Sequence, residues 1–245
     1  MMIDQIEIKI IYQDNHFLVI EKPSGVIVHP WRECADKTSL IYILKKQIGK
    51  YIYPVHRLDR PVSGVMVFAL SSEAANFLKG QWKSNETQKI YLGLCKGVIS
   101  QSLSIDYQLW NQKKTKKQSA TTFFWPIENN GYVTLTKFKI HTGRYHQIRR
   151  HCSAMGNQLI GDTKYGKGKY NFFYRHNFNL KRLFLHCSGL QINLGSGVKK
   201  FHSPLPQCLS NVVEKDGFSE SFEDKIFDGE IEGLSAFSKL QHFKK

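Results

Sequence analysis

Acidic side chains are scarce in this sequence. Its 245 residues include 20 Asp and Glu against 35 Lys and Arg, which gives a formal net charge of +15 and a pI of about 9.6. The excess of positive charge lies before residue 211. Residues 1–210 hold 12 Asp or Glu and 30 Lys or Arg, whereas residues 211–245 hold eight Asp or Glu and five Lys or Arg. A chain this basic attracts polyanions, of which nucleic acid is the commonest.

Long apolar runs and paired cysteines are also lacking. No stretch of 18 or more apolar residues occurs, and Met1–Glu7 has neither the basic start nor the apolar core of a signal peptide, so we expect a cytoplasmic protein without a membrane span. The five cysteines are odd in number and scattered without a CxxC pair, which argues against a disulfide framework or a zinc site. His56 and His146 lack a third ligand at metal-site spacing, so no metal is expected.

The glycine patterns of nucleotide cofactor sites are missing as well. Neither GxGxxG nor GxxxxGK[ST] occurs, so the sequence gives no support for a nucleotide cofactor. The patterns that do occur are short β-type segments in hairpin pairs, with fewer helical segments between them. They predict an α+β fold, in which a mostly antiparallel mixed sheet is flanked by helices and loops. We expect a single domain over residues 1–210 and a peripheral or partly ordered tail over residues 211–245.

One carboxylate stands out at His56-Arg57-Leu58-Asp59-Arg60. It precedes Val65–Leu70, a continuous apolar run typical of a buried strand. Positive charges within about 4–6 Å lower the pKa of a carboxyl group, so Asp59 should stay ionised between Arg57 and Arg60. An ionised carboxylate suits a nucleophile or an electrostatic stabiliser and not a general acid. A glycosidase would need a second carboxyl group as acid, and only Glu21 and Asp162 come near, both in loops.

Two further stretches carry candidate functional residues. In Lys89–Leu94, the period-two alternation places Ile90, Leu92 and Leu94 on one face and Tyr91 on the other. Tyr91 is either an ordinary strand aromatic or a platform on which a base stacks. Thr142-Gly143 should open a helix that ends at Gly156, with an anion-directed face formed by Arg144, His146, Arg149 and Arg150.

The order of these motifs resembles that of the RluA-type pseudouridine synthases. His56–Asp59 followed by Ser63-Gly64 resembles the catalytic motif of that family, and three other stretches match it in the same order. These are Lys22–Gly25, Gln88–Tyr91 and Thr142–Arg149, and the later Gly161-Asp162, Tyr165-Gly166 and Leu185-His186 also fit. The likeness extends from about residue 8 to residue 210.

The resemblance implies a role for each of these residues. Asp59 would start cleavage of the uridine C1′–N1 bond on a flipped-out nucleotide, and base flipping fits because this chemistry cannot occur inside a stacked helix. Tyr91 would stack on the base and is a candidate for the C5 proton transfer, and Arg149 would pair with Asp59. Arg57 would fill the gap left by the uridine, Lys22 would line the catalytic cleft, and Ile148 would pack against the base. Arg144 and Arg150, on the anion-directed face, are further candidates for RNA contact. The family needs no metal or organic cofactor.

The stretches 22–31, 56–74 and 146–151 are most similar to the TruC subfamily, which modifies the uridine at position 65 of certain tRNAs. We therefore expect an isomerase that acts on tRNA as a monomer without an obligate protein partner. Two alternatives stay open at this point. One keeps the chemistry and changes the substrate to 23S rRNA. The other is a non-catalytic RNA-binding protein on the same scaffold.

Overall fold

The computed structural model describes residues 6–29, 39–166, 168–219, 226–227 and 238–240. Pro30 and Trp31 of the first subfamily-like stretch, and most of the chain after residue 219, lie outside the described residues. The elements are β1 Ile10–Gln13, β2 Phe17–Lys22, α1 Leu40–Ile48, β3 Tyr53–Pro54, β4 Ser63–Ala69, α2 Ser72–Gln81, β5 Gln88–Lys96, β6 Leu103–Asp106, β7 Leu109–Trp110, β8 Lys117–Gln118, β9 Thr121–Asn129, β10 Val133–Ile140, α3 Gln147–Ala154, α4 Gly168–Phe178, β11 Leu185–Asn193, β12 Val198–His202, α5 Gln207–Lys215 and β13 Ser238–Leu240.

The chain forms two compact units. Unit 1 comprises residues 1–87 and 189–203, and unit 2 comprises residues 88–188 and 204–245. The pairings of β1 with β2, of β2 and β3 with β4, of β10 with β5 and β9, of β6 with β9, of β7 with β8 and of β11 with β12 are antiparallel. That of β13 with β6 is parallel. With five helices in the described part of the chain, the fold class is α+β with a mixed sheet, which confirms the sequence prediction.

Unit 1 is built on β1, β2 and β4 in that order, with β3 also paired to β4 and β12 paired to residues 189–193 of β11. Every residue of β4 is buried, as the apolar run predicts. The two helices have the local signals that define their ends: Ser39 and Ser71 cap α1 and α2, and Gly49 ends α1 in the left-handed conformation. The unit 1 core joins Val65 and Val67 to α2 and to β11–β12.

Unit 2 contains a sheet with strand order β5-β10-β9-β6-β13. Strands β9 and β10 form an antiparallel hairpin around the turn at Asn130-Gly131, in agreement with the hairpin pairs expected from the sequence. The expected division at residue 210 falls inside α5, and the stretch beyond it supplies buried residues to the unit 2 core, namely Val212, Val213, Phe218 and Ile226. No helix in the described residues is long and apolar enough to cross a membrane.

Candidate active site

In unit 1, the segment that carries Asp59 is tied to the Lys22–Gly25 motif by hydrogen bonds. Asp59 is half-buried immediately before β4, and its carbonyl oxygen accepts a bond from the Val62 N–H at 3.0 Å. The Gly25 N–H donates to the Arg60 carbonyl oxygen at 2.8 Å, and Arg60 Nε donates back to the Gly25 carbonyl oxygen at 2.9 Å. Two motifs that are far apart in sequence therefore fold as one structure around the candidate carboxylate.

Lys22 is the buried centre of this structure. Its side chain has no exposed area, and its Nζ donates to the carbonyl oxygens of Pro23 and Val62 at 2.8 Å and of Arg60 at 3.3 Å. Burying an ammonium group is costly unless its donors are bonded, and these carbonyl groups supply that compensation. The contacts made by Lys22, which the sequence placed among the RNA-contacting residues, brace the Asp59 segment from within the protein.

The neighbours of Asp59 in sequence have different environments. His56 Nε2 accepts a hydrogen bond from the Val67 N–H at 3.1 Å, and its ring stacks on Trp82 with centroids 4.1 Å apart. His56 is therefore part of the framework. Arg57 is exposed and lines a small pocket with His29. Burial, and to a smaller extent the charge of Arg57, lowers the pKa of His29, so the neutral form of this imidazole is favoured beside the exposed guanidinium group.

In unit 2, β5 confirms the predicted alternation. Ile90, Leu92 and Leu94 belong to the unit 2 core, so Tyr91 lies on the opposite face of the strand. Tyr91 is only 8% exposed, and its hydroxyl group is hydrogen-bonded to the thiol of Cys187. Burial raises the pKa of Cys187 to about 12 even though Tyr91 and Lys89 act against it, so this thiol is neutral.

Lys89 lies two residues before Tyr91 on the same face of β5. Its side chain is buried, and its Nζ donates to the His141 carbonyl oxygen at 2.8 Å. Burial lowers the pKa of Lys89 to about 8. The face of β5 that carries Lys89 and Tyr91 is therefore buried and polar. Alternation alone did not reveal this, because an alternating pattern predicts the face on which a residue lies and not its bonding partners.

The helix that carries Arg149 begins later than predicted. Thr142 and Gly143 precede it without helical structure, and α3 starts at Gln147 after His146, whose φ of 51° is left-handed. Gln147 is buried and sets this start: its Oε1 accepts from Thr142 Oγ1 at 2.7 Å, and its Nε2 donates to the Thr121 carbonyl oxygen at 2.9 Å. These tertiary bonds outweigh the local Thr-Gly signal.

Arg149 is buried and paired with Asp162, which the sequence analysis identified only as a possible second carboxyl group. Arg149 Nε and Nη2 donate to the two carboxylate oxygens of Asp162 at 2.8 and 2.9 Å, and the side chains are 6% and 1% exposed. Asp162 also accepts bonds from the Lys164 and Tyr165 N–H groups. Burial by itself raises the pKa of Asp162, but the bonds and charge of Arg149 outweigh it and hold that pKa below its usual value.

The expected basic face of α3 is therefore divided. Arg149 turns into the protein, whereas Arg144 and Arg150 reach the ends of the β7–β8 hairpin. Arg144 Nε donates to the Ser119 carbonyl oxygen at 3.0 Å, and Arg150 Nη1 donates to the Trp110 carbonyl oxygen at 2.7 Å. Ile148 is buried, and the half-buried Met155 follows the helix.

Residues 109–118, called the basic hairpin below, present cations and an aromatic ring to solvent. Trp110 is 43% exposed, and Lys117 Nζ lies 5.4 Å from the centre of its ring. Lys113, Lys114 and Lys116 are also exposed. This combination of an aromatic ring with clustered cations is typical of surfaces that bind nucleic acid.

The face of the unit 2 sheet that carries Tyr91 also carries α3. Cys152 Sγ of the helix is 4.0 Å from Cys95 Sγ, and Cys95 lies four residues beyond Tyr91 on β5 and hence on the same face. Two of the three candidate catalytic residues, Tyr91 and Arg149, therefore come from elements on one side of the unit 2 sheet. Asp59 belongs to unit 1.

Comparison of the sequence with known proteins identifies the family to which these motifs belong. The model of the RNA pseudouridylate synthase family matches residues 16–154, which is more than half of the chain. The tRNA pseudouridine synthase C of Vibrio parahaemolyticus is 34% identical over 76% of this chain and 85% of its own length. The protein of the same name from Vibrio vulnificus is 34% identical over 75% of this chain and 84% of its own.

Solved structures share the fold. Human RNA pseudouridylate synthase domain containing 4 superposes with a TM-score of 0.70 at 21% identity, over 84% of this chain and 92% of that one. Human RNA pseudouridylate synthase domain containing 1 gives a TM-score of 0.67 at 23% identity, over 86% and 94%. These structures support the fold alone, and the sequence matches support the family. The chain belongs to the RNA pseudouridylate synthase family.

Proposed function

We propose that this protein converts one uridine of tRNA, at position 65, into pseudouridine. The observation that carries the proposal is the agreement over most of their length with relatives named tRNA pseudouridine synthase C. The position itself comes from the subfamily resemblance of the motifs. Acting on tRNA, the protein would work in the cytoplasm, as a monomer that needs no partner protein.

The proposed reaction moves one bond without oxidation or reduction. Asp59 starts cleavage of the C1′–N1 bond, whose electron pair stays with the uracil, either by adding to C1′ or by promoting glycal formation. The uracil turns and C5 bonds to C1′, which releases the Asp59 carboxylate in the first route or lets C2′ regain its proton in the second. The proton lost from C5 is balanced by one gained at N1. Because the uracil anion is a good leaving group and the steps are proton and bond exchanges, we propose that no metal or organic cofactor takes part.

We propose that Tyr91 takes part in the transfer of the C5 proton and that Arg149 keeps Asp59 ionised. The buried position of Tyr91 with a polar neighbour at its hydroxyl group supports the first assignment. For the second, a guanidinium group has five N–H donors and Asp162 binds two of them, so a further carboxylate partner is compatible with the observed pairing. We assign Arg57 to the RNA, together with Ile148 at the base.

The remaining basic residues support RNA binding in a less direct way. Lys22 holds the Asp59 segment, and Arg144 and Arg150 hold the basic hairpin, so we propose that their effect on RNA passes through these elements. The exposed lysines of the basic hairpin and the pocket beside His29 and Arg57 would contact phosphates. A protein of net charge +15 gains affinity for RNA from counterion release.

The test is tritium release from RNA labelled at uracil C5. The purified protein should release tritium from tRNA and not from 23S rRNA, and a deletion strain should lose pseudouridine at tRNA position 65. Asp59→Asn should abolish release while RNA affinity stays within a few-fold, and Asp106→Asn, a change at an exposed acid of unit 2, should be fully active. Release from rRNA alone would assign the alternative substrate, and no release from either RNA would show a non-catalytic protein.

A further inference from the structure

The sequence between Asp162 and Glu214 contains no acidic residue. These 51 residues, 163–213, include six lysines and two arginines. Helix α4 lies in this stretch, at Gly168–Phe178, although its aromatic sequence shows no clear period. None of the roles assigned above uses this helix.

The inner side of α4 is built into unit 2. Tyr174 is buried, and its hydroxyl group donates to Asp216 Oδ2 at 2.6 Å. Tyr170 and Phe178, one turn to either side of Tyr174, pack against the same core. Spacing of i, i+4 and i+8 is that of one helix face, so this side is accounted for by folding.

The outer face of α4, defined here as Lys169, Phe172, Phe173 and His176, has the spacing i, i+3, i+4 and i+7 and forms a second stripe. Phe172 is 64% exposed and Phe173 is 51% exposed. The rings of Phe172 and His176 lie 4.1 Å apart. Lys169, Arg175 and His176 are exposed around them. Contiguous exposed apolar surface that is rimmed by polar residues is a feature of interaction sites, and the cations around these rings supply such a rim.

Helix α4 is also anchored to the loop that holds the candidate catalytic arginine. Asn171 Oδ1 accepts a bond from the Gly161 N–H at 2.8 Å, and Asn171 Nδ2 donates to the Asp162 carbonyl oxygen at 2.9 Å. The carboxylate of Asp162 in turn holds Arg149. The outer face therefore has a fixed position relative to Arg149 within unit 2.

We propose that the outer face of α4 binds unpaired nucleotides of the RNA substrate at a place other than the target uridine. This inference rests on the proposed function. The phenylalanine rings offer flat surfaces on which splayed bases stack, and Lys169 and Arg175 offer cations to the flanking phosphates. No acidic residue occurs over residues 163–188, the part of this stretch that precedes the unit 1 segment, and the exposed charged side chains of α4 are the cations Lys169 and Arg175. A surface with charges of one sign favours a polyanion such as RNA over a protein partner.

The first measurement compares a double variant, Phe172→Ala with Phe173→Ala, with the wild-type protein. Stacking of one base contributes about 1–3 kcal/mol by alanine substitution, so the Kd for tRNA should rise roughly 5- to 150-fold. The single-turnover rate at saturating tRNA should stay unchanged, because the face does not touch the reacting atoms. Tyr132→Ala is the matched control, since Tyr132 is an aromatic residue of unit 2 that is 75% exposed in the β9–β10 turn, and it should bind tRNA as the wild type does.

A second measurement separates stacking from charge. For Lys169→Ala with Arg175→Ala, the slope of log Kd against log salt concentration should fall by roughly 1.5, as expected for two lost phosphate contacts at about 0.7–0.9 each. The phenylalanine double variant should keep the wild-type slope. A loss of affinity with equal slopes in both variants would contradict the assignment of phosphates to the two cations.

The outcomes distinguish this inference from the proposed function. If wild type and Tyr132→Ala release tritium from tRNA and the phenylalanine double variant binds tRNA equally tightly, the inference is wrong and the function stands. If the double variant instead converts a wild-type dimer into a monomer in size-exclusion chromatography, the face is a protein interface and the inference is again wrong. If no RNA is modified by the wild type, the proposed function itself has failed.

Discussion

Asp162→Asn should destabilise the folded protein strongly, because it removes the charge that balances a buried guanidinium group. Asp162 is 1% exposed and Arg149 is 6% exposed, and the carboxylate accepts both Arg149 bonds and two backbone N–H bonds. An amide has similar shape but only one oxygen to accept these bonds. Removing one partner of a buried ion pair typically costs about 3–5 kcal/mol. We expect a loss of this size in the free energy of unfolding at pH 7.

The loss should depend on pH in a defined direction. The pKa of Asp162 is depressed in the folded protein, because the bonds from Arg149 outweigh the effect of burial. A carboxyl group with a depressed pKa contributes stability above its unfolded pKa of about 3.9 and loses it as the pH falls through the folded value. Asparagine does not titrate, so the difference between wild type and variant should be largest near pH 7 and should shrink below about pH 4.

The assay is urea unfolding followed by far-UV circular dichroism at pH 7 and at pH 3, with free energies extrapolated to water. Asp106→Asn serves as the control, since exposed substitutions usually change stability by less than about 0.5 kcal/mol. A loss below about 1 kcal/mol at pH 7 would refute the structural reasoning. A loss equal at both pH values would show that shape, and not charge, is responsible.

Three further outcomes are expected. Tyr91→Phe keeps the ring and removes the hydroxyl group, so tritium release should slow by about 100-fold or more with unchanged tRNA affinity; an unaltered rate would remove Tyr91 from the proton transfer. Gly93→Ala would place a Cβ 2.8 Å from Leu159 Cδ2 and 2.9 Å from Phe138 Cε2. This overpacking should lower the free energy of unfolding by about 1–3 kcal/mol and lower the melting temperature; an unchanged melting temperature would contradict the prediction. Burial lowers the pKa of His151 to about 4, so the stability that the neutral ring contributes is complete above its unfolded pKa of about 6.5 and falls by about 3 kcal/mol toward pH 4. In His151→Gln, the free energy of unfolding measured with urea should fall less over this pH range. An equal fall in wild type and variant would contradict the reasoning.

The sequence by itself determined the local elements and the family. The alternation of apolar residues placed Tyr91 on the face opposite Ile90, Leu92 and Leu94, because side-chain direction along a strand depends only on neighbouring residues. The ordered motifs likewise predicted the family that the comparisons confirmed. The roles of Asp59 and Arg149 in catalysis stay predictions.

Helix α4 was not recognisable from periodicity. Its inner aromatic stripe and its outer stripe at Phe172 and Phe173 lie on different sides, so together they cancel the pattern that marks an amphipathic helix. Only packing decided which aromatic residues are buried and which are exposed.

The partners of charged residues were decided by tertiary structure alone. Periodicity placed Arg149 on a basic face of α3, and the family resemblance made Lys22 a candidate for RNA contact. In the structure, Arg149 binds Asp162 and Lys22 binds backbone carbonyl groups inside the fold. A buried charge requires compensating partners, and these can come from any part of the chain that the fold brings within bonding distance. Sequence determined which groups can form such bonds, and the three-dimensional arrangement decided which of them do.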